Sequence, residues 1–394
     1  MEKHLDFDVR INRKGTDSIK YDFAKEMNKE EDLLPLWVAD MDFKVSSYIC
    51  DAIKQQADHG IYGYSDSKDD YFQAVADWCL KYYSWRVKKE WLIKTPGVVF
   101  ALATAIKAYT QVGDSVMICR PVYHPFANVI KDNGRNLVDC SLKLKEDGRY
   151  YLNFEDMEKK IREEKVKLFL LCSPHNPSGR VWTKGELEEI ARLCLKYEII
   201  VVSDEIHADL VFKGKHYVFA SIDSPIKDQC VICMAPSKTF NIAGLQVSNI
   251  FIENEKLREI FKAEMRACGI TEVNGAGIVA AKVAYREGEE WYLHMMDYVR
   301  KNIEYVKSFI ENRIPRLKVM DSEATYLLWI DFRALGIKEK ELTNFIEKKA
   351  GLWLSNGEIF GPQGAGFQRM NVACCRELLQ EALEKLEKAV KELT

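Results

Sequence analysis

The feature that most constrains the fold is an alternation between helical and strand periodicity that begins near Asp69. The pattern predicts helices over 69–83 and 98–110, and the second is almost entirely apolar and therefore buried. A further helix is predicted over 183–197, where the first residue and Glu186 match a capping box. Strands are predicted over 115–119, 136–142 and 167–172, and in the segments that end at Asp204, Met234 and Ile252. This alternation is typical of an α/β domain with a mostly parallel sheet.

The rhythm changes after about Glu287, where a long helix is predicted to run to about Asn312. Strands over 326–331 and 367–372 and helices over 338–349 and 376–393 follow. The sequence therefore predicts a large α/β domain over residues 50–286 and a smaller α+β domain built from residues 1–49 and 287–394. A ligand cleft is expected between the two domains.

Composition excludes several classes of protein. The 394 residues carry a formal net charge of −3 with lysine and glutamate interspersed, so no basic stripe for nucleic acid is present. No run of eighteen apolar residues predicts a membrane span, and the N-terminus lacks an apolar signal region, so we expect a cytoplasmic protein. Several of the eleven cysteines lie in apolar runs, which favours reduced thiols. Cys230 and Cys233 have no second pair at zinc spacing, and no metal is predicted.

Three predicted strands end beside a polar residue. Asn176 follows the strand at 167–172, Asp204 closes the next strand, and Lys238 follows the strand that ends at Met234. A buried lysine is costly as an ammonium ion, which favours a neutral nucleophile or a Schiff base with a carbonyl cofactor. The tripeptide Ser-Lys-Thr also occurs on ordinary exposed loops, so the lysine is informative only together with Asn176 and Asp204. The three residues together predict a pyridoxal 5'-phosphate site with Lys238 as the catalytic residue.

The phosphate of that cofactor is expected at the start of the apolar helix. Gly97 removes a side chain where a phosphate would approach, and the free amides of Val98 and Val99 would point at it. Ser237 could add a hydroxyl group to the same phosphate. The alternative is a strand-to-helix turn that simply requires a glycine.

The pyridine ring is expected beside four other residues. Asp204 would pair with the ring nitrogen and make the ring an electron sink, although an acid in this position can also cap a helix. Asn176 and His207 would hydrogen-bond the phenolic oxygen, and Tyr123 would stack on the ring face. His207 also allows a metal ligand and Tyr123 plain core packing, since spacing alone does not separate these alternatives.

Arg369 alternates with apolar neighbours on the predicted strand 367–372. If the side chain faces inward, it suits bidentate capture of a substrate carboxylate. If it faces outward, it is an ordinary solvated arginine, and the pattern leaves both alternatives open.

Seven stretches of the sequence resemble a known family. They are 36–43 (LWVADMDF), 62–65 (YGYS), 97–99 (GVV), 121–123 (PVY), 173–182 (SPHNPSGRVW), 203–207 (SDEIH) and 235–245 (APSKTFNIAGL). In these stretches the chain resembles the fold type I pyridoxal phosphate enzymes of aminotransferase class I and II. Within that superfamily it looks most like the cystathionine β-lyase and cystalysin-like C–S lyases.

The resemblance implies a homodimer with two composite active sites, in which Tyr64, or less favourably Tyr62, reaches the phosphate of the neighbouring subunit. It also places Ala39 with Arg369 at the substrate. Two departures stand out, because Gln246 replaces an arginine that usually binds the phosphate and His207 replaces a usual tyrosine. His124 stands where close relatives can have a second tyrosine.

The resemblance favours β-elimination from L-cysteine S-conjugates, which yields pyruvate, ammonia and a thiol. In that reaction Lys238 would remove the Cα proton of the substrate. Transamination passes through the same loss of a Cα proton, so the site residues leave an aminotransferase open. A third alternative is a cofactor-binding protein that acts mainly as a regulator through protein interaction.

Overall fold

A computed structural model describes residues 5–393 of the chain. The helices of these residues are α1 (Ile19–Asp22), α2 (Ser47–His59), α3 (Asp69–Tyr83), α4 (Val98–Tyr109), α5 (Pro125–Asp132), α6 (Phe154–Glu163), α7 (Lys184–Lys196), α8 (Pro236–Thr239), α9 (Glu255–Ala267), α10 (Gly275–Glu287), α11 (Glu289–Arg313), α12 (Glu339–Asn344) and α13 (Arg376–Lys391). Within the same residues, no helix combines the length and the apolar character needed to cross a bilayer.

The strands of residues 5–393 form four sheets. They are β1 (Leu34–Pro35), β2 (Leu92–Thr95), β3 (Ser115–Ile118), β4 (Asn136–Asp139), β5 (Lys143–Leu144), β6 (Tyr150–Tyr151), β7 (Val166–Cys172), β8 (Ile200–Asp204), β9 (Cys230–Met234), β10 (Ser248–Phe251), β11 (Lys318–Val319), β12 (Leu327–Asp331), β13 (Leu352–Trp353), β14 (Ser355–Asn356) and β15 (Phe367–Asn371).

The largest sheet has seven strands in the order β2-β10-β9-β8-β7-β3-β4. Strands β9, β8, β7, β3 and β4 pair in parallel, and β10 is antiparallel to both of its neighbours. Apolar side chains on both faces are buried, one face against α4, α5 and α9 and the other against α3, α6, α7 and α10. The predicted mostly parallel α/β sheet is confirmed.

A second sheet, of four antiparallel strands in the order β11-β12-β15-β14, lies in the C-terminal part of the chain. Strand β1 pairs in parallel with β13, so the N-terminal segment packs beside the C-terminal elements. These pairings agree with a smaller α+β unit that includes both ends of the chain. The domain limits at residues 49/50 and 286/287 remain a prediction.

Several predicted elements differ from the observed ones. The predicted strand 136–142 leaves the regular ladder after Asp139, although the amides of Cys140 and Leu142 still donate to the carbonyls of Ile118 and Arg120, at and just after the end of β3. The predicted helix 338–349 ends as an α-helix at Asn344 and continues as a π-helix over Phe345–Lys349. Helix α2 and strand β2 were not predicted from the sequence. Helix α2 fully buries only one residue and so has a weak apolar pattern, and β2 is only four residues long. All eleven cysteines are free, and all except Cys50 and Cys268 are buried.

Candidate active site

The parallel strands bring three of the predicted residues to one edge of the large sheet. Asp204 is the last residue of β8 and lies in register with Cys172 of β7 and Cys233 of β9. Asn176 follows β7, and Lys238 lies in α8, which begins two residues after β9. In parallel sheets the carboxyl ends of the strands share one edge, where ligands usually bind.

A cavity of about 230 Å³ opens at this edge. It is lined by Ala39, Gly97, Val98, Val99, Tyr123, Asn176, Asp204, His207, Ser237 and Lys238, and also by Pro96, Phe100, Cys172, Ile206, Ala243, Gln246, Val247 and Ser248. Ten of the twelve predicted site residues therefore share one cavity. The other two, Arg369 and Tyr64, lie outside its lining.

Lys238 is held by the backbone of a distant segment. Its Nζ donates a hydrogen bond of 2.6 Å to the carbonyl oxygen of Ala39. Burial lowers the pKa of Lys238 to about 8; the positive charge of Arg369 acts in the same direction, and Asp40 and Asp204 oppose it. An amine with this pKa is partly neutral near pH 7–8, so it can accept a proton or act as a nucleophile.

Asp204 is a buried acid with few partners. Its side chain accepts a hydrogen bond of 3.2 Å from the amide of Ile206, and no basic side chain among residues 5–393 forms an ion pair with it. Burial raises the pKa of Asp204 to about 7, and the charge of Glu205 adds to the increase. A cationic group placed in the cavity would supply the missing partner and favour the ionised form.

His207 and Asn176 present polar groups to the same cavity. Burial lowers the pKa of His207 to about 3, and the charges of Lys238 and Arg369 act in the same direction, so the imidazole is neutral. Nδ1 of His207 is buried without a hydrogen-bond partner. The Asn176 amide oxygen accepts a hydrogen bond of 3.0 Å from Nη1 of Arg369, which leaves its amide nitrogen available to donate.

The first turn of α4 forms another wall of the cavity. Gly97 precedes the helix at φ +96°, a left-handed conformation that side chains with a Cβ rarely adopt. The first intrahelical hydrogen bond is donated by Ala101, so the amides of Val98 and Val99 have no partner within the helix. Such amides, together with the helix dipole, favour an anion at this position.

Arg369 faces the interior of the protein, so the solvent-facing alternative is wrong. Nη2 donates to the Trp37 carbonyl at 2.8 Å and to Oγ of Ser355 at 3.2 Å, and its Nε is buried without a partner. Burial lowers its pKa to about 10. Among residues 5–393, no carboxylate forms an ion pair with Arg369, although an arginine in this setting normally requires one.

The two tyrosines predicted to contact the cofactor lie in different environments. Tyr123 is partly buried and lines the cavity, and its amide donates to the carbonyl of Asn176 at 3.0 Å. Tyr64 is 100% exposed, and Tyr62 beside it is also exposed. The side chain of Tyr64 does not line the cavity of its own chain.

The residues that donate hydrogen bonds to the backbone carbonyls of the segment 36–43 were not predicted from the sequence. Tyr326 donates from its hydroxyl to the Ala39 carbonyl at 3.0 Å. Asn371, which is buried, donates from Nδ2 to the carbonyls of Val38 and Asp40. The available signal for this contact was an asparagine at the end of the buried strand β15.

The chain is similar to known proteins along nearly its whole length. The family described as aminotransferase class I and II matches residues 31–386. Cystathionine beta-lyase PatB of Bacillus subtilis (strain 168) is 41% identical over 98% of this chain and 100% of its own length. Cystalysin of Treponema denticola, whose crystal structure contains a pyridoxal 5'-phosphate cofactor, is 39% identical with a TM-score of 0.95 over 99% of both chains. The pyridoxal phosphate-bound C–S lyase of Staphylococcus hominis is 33% identical with a TM-score of 0.91 over 98% of both chains.

Proposed function

Because the chain belongs to the aminotransferase class I and II family, we propose that it is a pyridoxal 5'-phosphate-dependent carbon–sulfur lyase. It cleaves L-cysteine S-conjugates such as L-cystathionine to pyruvate, ammonia and a thiol. The observation that carries this choice is the full-length similarity to relatives named cystathionine beta-lyase and C–S lyase. The site residues alone fit a transaminase equally well, because both reactions begin with removal of the Cα proton.

The cavity residues fit this cofactor. Asp204 is a buried acid without a cationic partner, and the protonated pyridine nitrogen would supply one. The unpartnered Nδ1 of His207 and the amide of Asn176 would meet the phenolic oxygen. The free amides of Val98 and Val99 would receive the phosphate.

The remaining contacts of the cofactor follow from the same cavity. Ser237 would donate its hydroxyl group to the phosphate, and Tyr123 would stack on the ring. Gln246 also lines the cavity, and as a neutral amide it would contribute no positive charge to phosphate binding. When bound, the cofactor supplies an electron sink for the pair of electrons that remains when the Cα proton leaves.

Two residues of the chain would act on the substrate. Lys238, whose pKa is about 8, would take the Cα proton at its Nζ; the Cβ–S bond then breaks, and sulfur leaves with the bonding electrons as a thiolate that takes up a proton to give the thiol. Arg369 binds the substrate carboxylate through its fork of donors, and its contacts with Asn176 and Ser355 fix the plane of that fork. Ala39, whose carbonyl accepts a hydrogen bond from Nζ of Lys238, would contact the substrate.

We further propose a homodimer in which Tyr64 completes the active site of the neighbouring subunit. Tyr64 is fully exposed, and its neighbours Ile61 and Tyr62 are 72% and 75% exposed, so a partner subunit would cover a cluster of large apolar side chains. A phenolic hydroxyl at the phosphate would partly compensate for the neutral Gln246. The free cysteines favour a reducing compartment, and we assign the protein to the cytoplasm.

The test is release of pyruvate and a free thiol from L-cystathionine by the purified holoenzyme. We expect turnover in the wild-type protein and none above background in Lys238→Ala, with turnover retained in Lys282→Ala, which alters an ion pair with Asp70 away from the cavity. Stoichiometric glutamate formation from L-alanine and 2-oxoglutarate, without pyruvate from L-cystathionine, would assign a transaminase instead. A folded, cofactor-loaded protein without either activity would favour a regulatory role.

A further inference from the structure

The carbonyl of Ala39 orients the catalytic amine in this structure. It accepts hydrogen bonds from Nζ of Lys238 at 2.6 Å and from the hydroxyl of Tyr326 at 3.0 Å. The unsubstituted amine of Lys238 is the form that accepts the substrate proton. Whatever fixes the Ala39 carbonyl therefore also fixes the base of the proposed reaction.

Four charged side chains lie directly behind this carbonyl, and we call them the ion cluster: Arg13, Lys20, Asp40 and Asp42. Arg13 joins both acids, with Nη2 at 2.6 Å from Oδ2 of Asp40 and Nη1 at 2.7 Å from Oδ1 of Asp42. Nζ of Lys20 lies 2.8 Å from Oδ2 of Asp42 and 3.5 Å from Oδ1 of Asp40. The side chain of Lys20 is completely buried, at 0% exposure, and Asp42 is also buried, whereas Arg13 and Asp40 are about one-fifth exposed.

The covalent geometry links the cluster to the carbonyl. Asp40 is the residue after Ala39, so the peptide group that carries the Ala39 oxygen is bonded to the α-carbon of Asp40. Asn371 holds the carbonyls on either side, those of Val38 and Asp40, at 2.6 and 2.5 Å. Of these three consecutive carbonyls, the one that accepts from Lys238 is that of Ala39.

The same cluster contributes charge to the site. Asp40 is the main group that opposes the lowering of the pKa of Lys238 by burial. The other titratable or charged side chains that face Lys238 are Asp204, His207, Tyr326 and Arg369. Lys20 and Arg13 offset the charge of Asp40, so the cluster sets how much negative charge the amine experiences.

We propose that the ion cluster positions the free amine of Lys238 by fixing the Ala39 carbonyl, with Arg13 and Lys20 as positioning residues. Buried ion pairs contribute little net stability compared with apolar side chains of similar size. A role in stability alone therefore does not account for these four charges. Fixing the direction of one carbonyl, by contrast, requires directional contacts. This inference rests on the proposed function, because it assigns the cluster to the base of that reaction.

The test compares Asp40→Asn and Lys20→Met in the holoenzyme, with Lys29→Met as the control. Lys29 forms a similar ion pair with Glu347, at 2.5 Å, in the same part of the chain but outside the cavity lining. We measure kcat for L-cystathionine against pH, and separately the pH midpoint of the cofactor's visible absorption band. Both cluster variants should lose kcat by roughly 10- to 100-fold, because the amine is displaced. The control should keep the wild-type kcat and midpoint.

The sign of the midpoint shift separates positioning from simple loss of structure. Asp40→Asn removes a negative charge and should move the midpoint to lower pH, whereas Lys20→Met removes a positive charge and should move it to higher pH. Shifts of roughly one pH unit are expected. Shifts in the same direction, or an unchanged kcat, would overturn the proposal.

A second variant covers the case in which Lys20→Met does not fold. Arg13→Lys keeps the charge but loses the planar fork, so it should lower kcat and leave the midpoint in place. An unchanged kcat in Arg13→Lys would also overturn the proposal. If the wild-type protein released no pyruvate, the proposed function would fail, and the midpoint shifts would still decide whether the cluster acts on Lys238.

Discussion

Two walls of the same cavity differ in how their polar groups are satisfied. On the wall at the ends of β7 and β8, Asp204 has no ion-pair partner among residues 5–393, and within the same residues Nδ1 of His207 is buried without a hydrogen-bond partner. A second wall is formed where the segment 36–43 contributes Ala39 to the cavity lining, and most carbonyls of this segment accept hydrogen bonds from side chains, among them those of Asn371, Tyr326 and Arg369.

The difference separates recognition from support. Buried polar groups without partners are costly, so a wall that carries them is prepared for a ligand that will satisfy them. A wall whose groups are already paired is rigid and positions whatever it touches. Substitutions on the first wall should therefore affect activity more than the stability of the cofactor-free protein, and substitutions on the second should affect stability as well as the position of the groups that it holds.

The largest effect is expected from Lys238→Ala, which should lower turnover of L-cystathionine by at least roughly 10²- to 10⁴-fold through loss of the base. Since burial of its amine is unfavourable, the cofactor-free variant should be at least as stable as the wild-type protein. Steady-state kinetics and urea unfolding of the cofactor-free protein measure the two effects. A large loss of stability would contradict the distinction between the walls.

Asp204→Asn should change how stability depends on pH in the cofactor-free protein. The pKa of Asp204 is raised from 3.8 to about 7, so the folded state binds its proton more tightly than the unfolded state. The resulting stabilisation is fully present below about pH 4 and is lost as the pH rises through about 7. The variant should lack this decline, which is on the order of a few kcal/mol. Urea unfolding at several pH values measures it, and parallel curves for the two proteins would refute it.

Asn371→Ala tests the paired wall. It leaves the carbonyls of Val38 and Asp40 without their donor, which should lower the free energy of unfolding by roughly 2–5 kcal/mol. Asn312→Ala, at an exposed helix position, is the matched control and should have little effect. Denaturant unfolding of both cofactor-free variants gives the comparison, and equal stabilities would show that the segment is not held as inferred.

Arg369 contacts both Asn176, which follows β7, and the Trp37 carbonyl, and Arg369→Ala should give the smallest effect. Loss of its charge-assisted contacts is worth roughly 1.5–3 kcal/mol, or about a 10- to 100-fold decrease in kcat/KM. The decrease should appear with every amino-acid substrate, because each carries the carboxylate, while the visible spectrum of the holoenzyme stays the same. A decrease confined to one substrate would place the carboxylate elsewhere.

The sequence predicted the first wall well, because its residues are local to strand ends. Asn176, Asp204 and Lys238 each follow an apolar run, and parallel strands necessarily bring such positions to one edge. The start of α4 was equally readable from Gly97 and the apolar run behind it. The roles of these residues toward a cofactor remain proposals.

The second wall could not be read in the same way. Asn371 and Asp40 are 331 residues apart in sequence, and nothing local to either predicts that they will meet. The sequence also left open whether Arg369 faces inward or outward. Side chains of a strand alternate between its two faces, and a short strand does not reveal which face packs against the interior.

What the sequence determined by itself was the α/β architecture, the cavity at the carboxyl ends of the strands and the family of the chain. These depend on periodicity and on motifs, which are properties of neighbouring residues. Only the tertiary structure decided that Arg13 and Lys20 form a partly buried ion cluster with Asp40 and Asp42 next to Ala39, and that the carbonyl of Ala39 accepts a hydrogen bond from the amine of Lys238. Such contacts arise when distant segments pack together, and the energy of each depends on burial and distance that no local pattern contains.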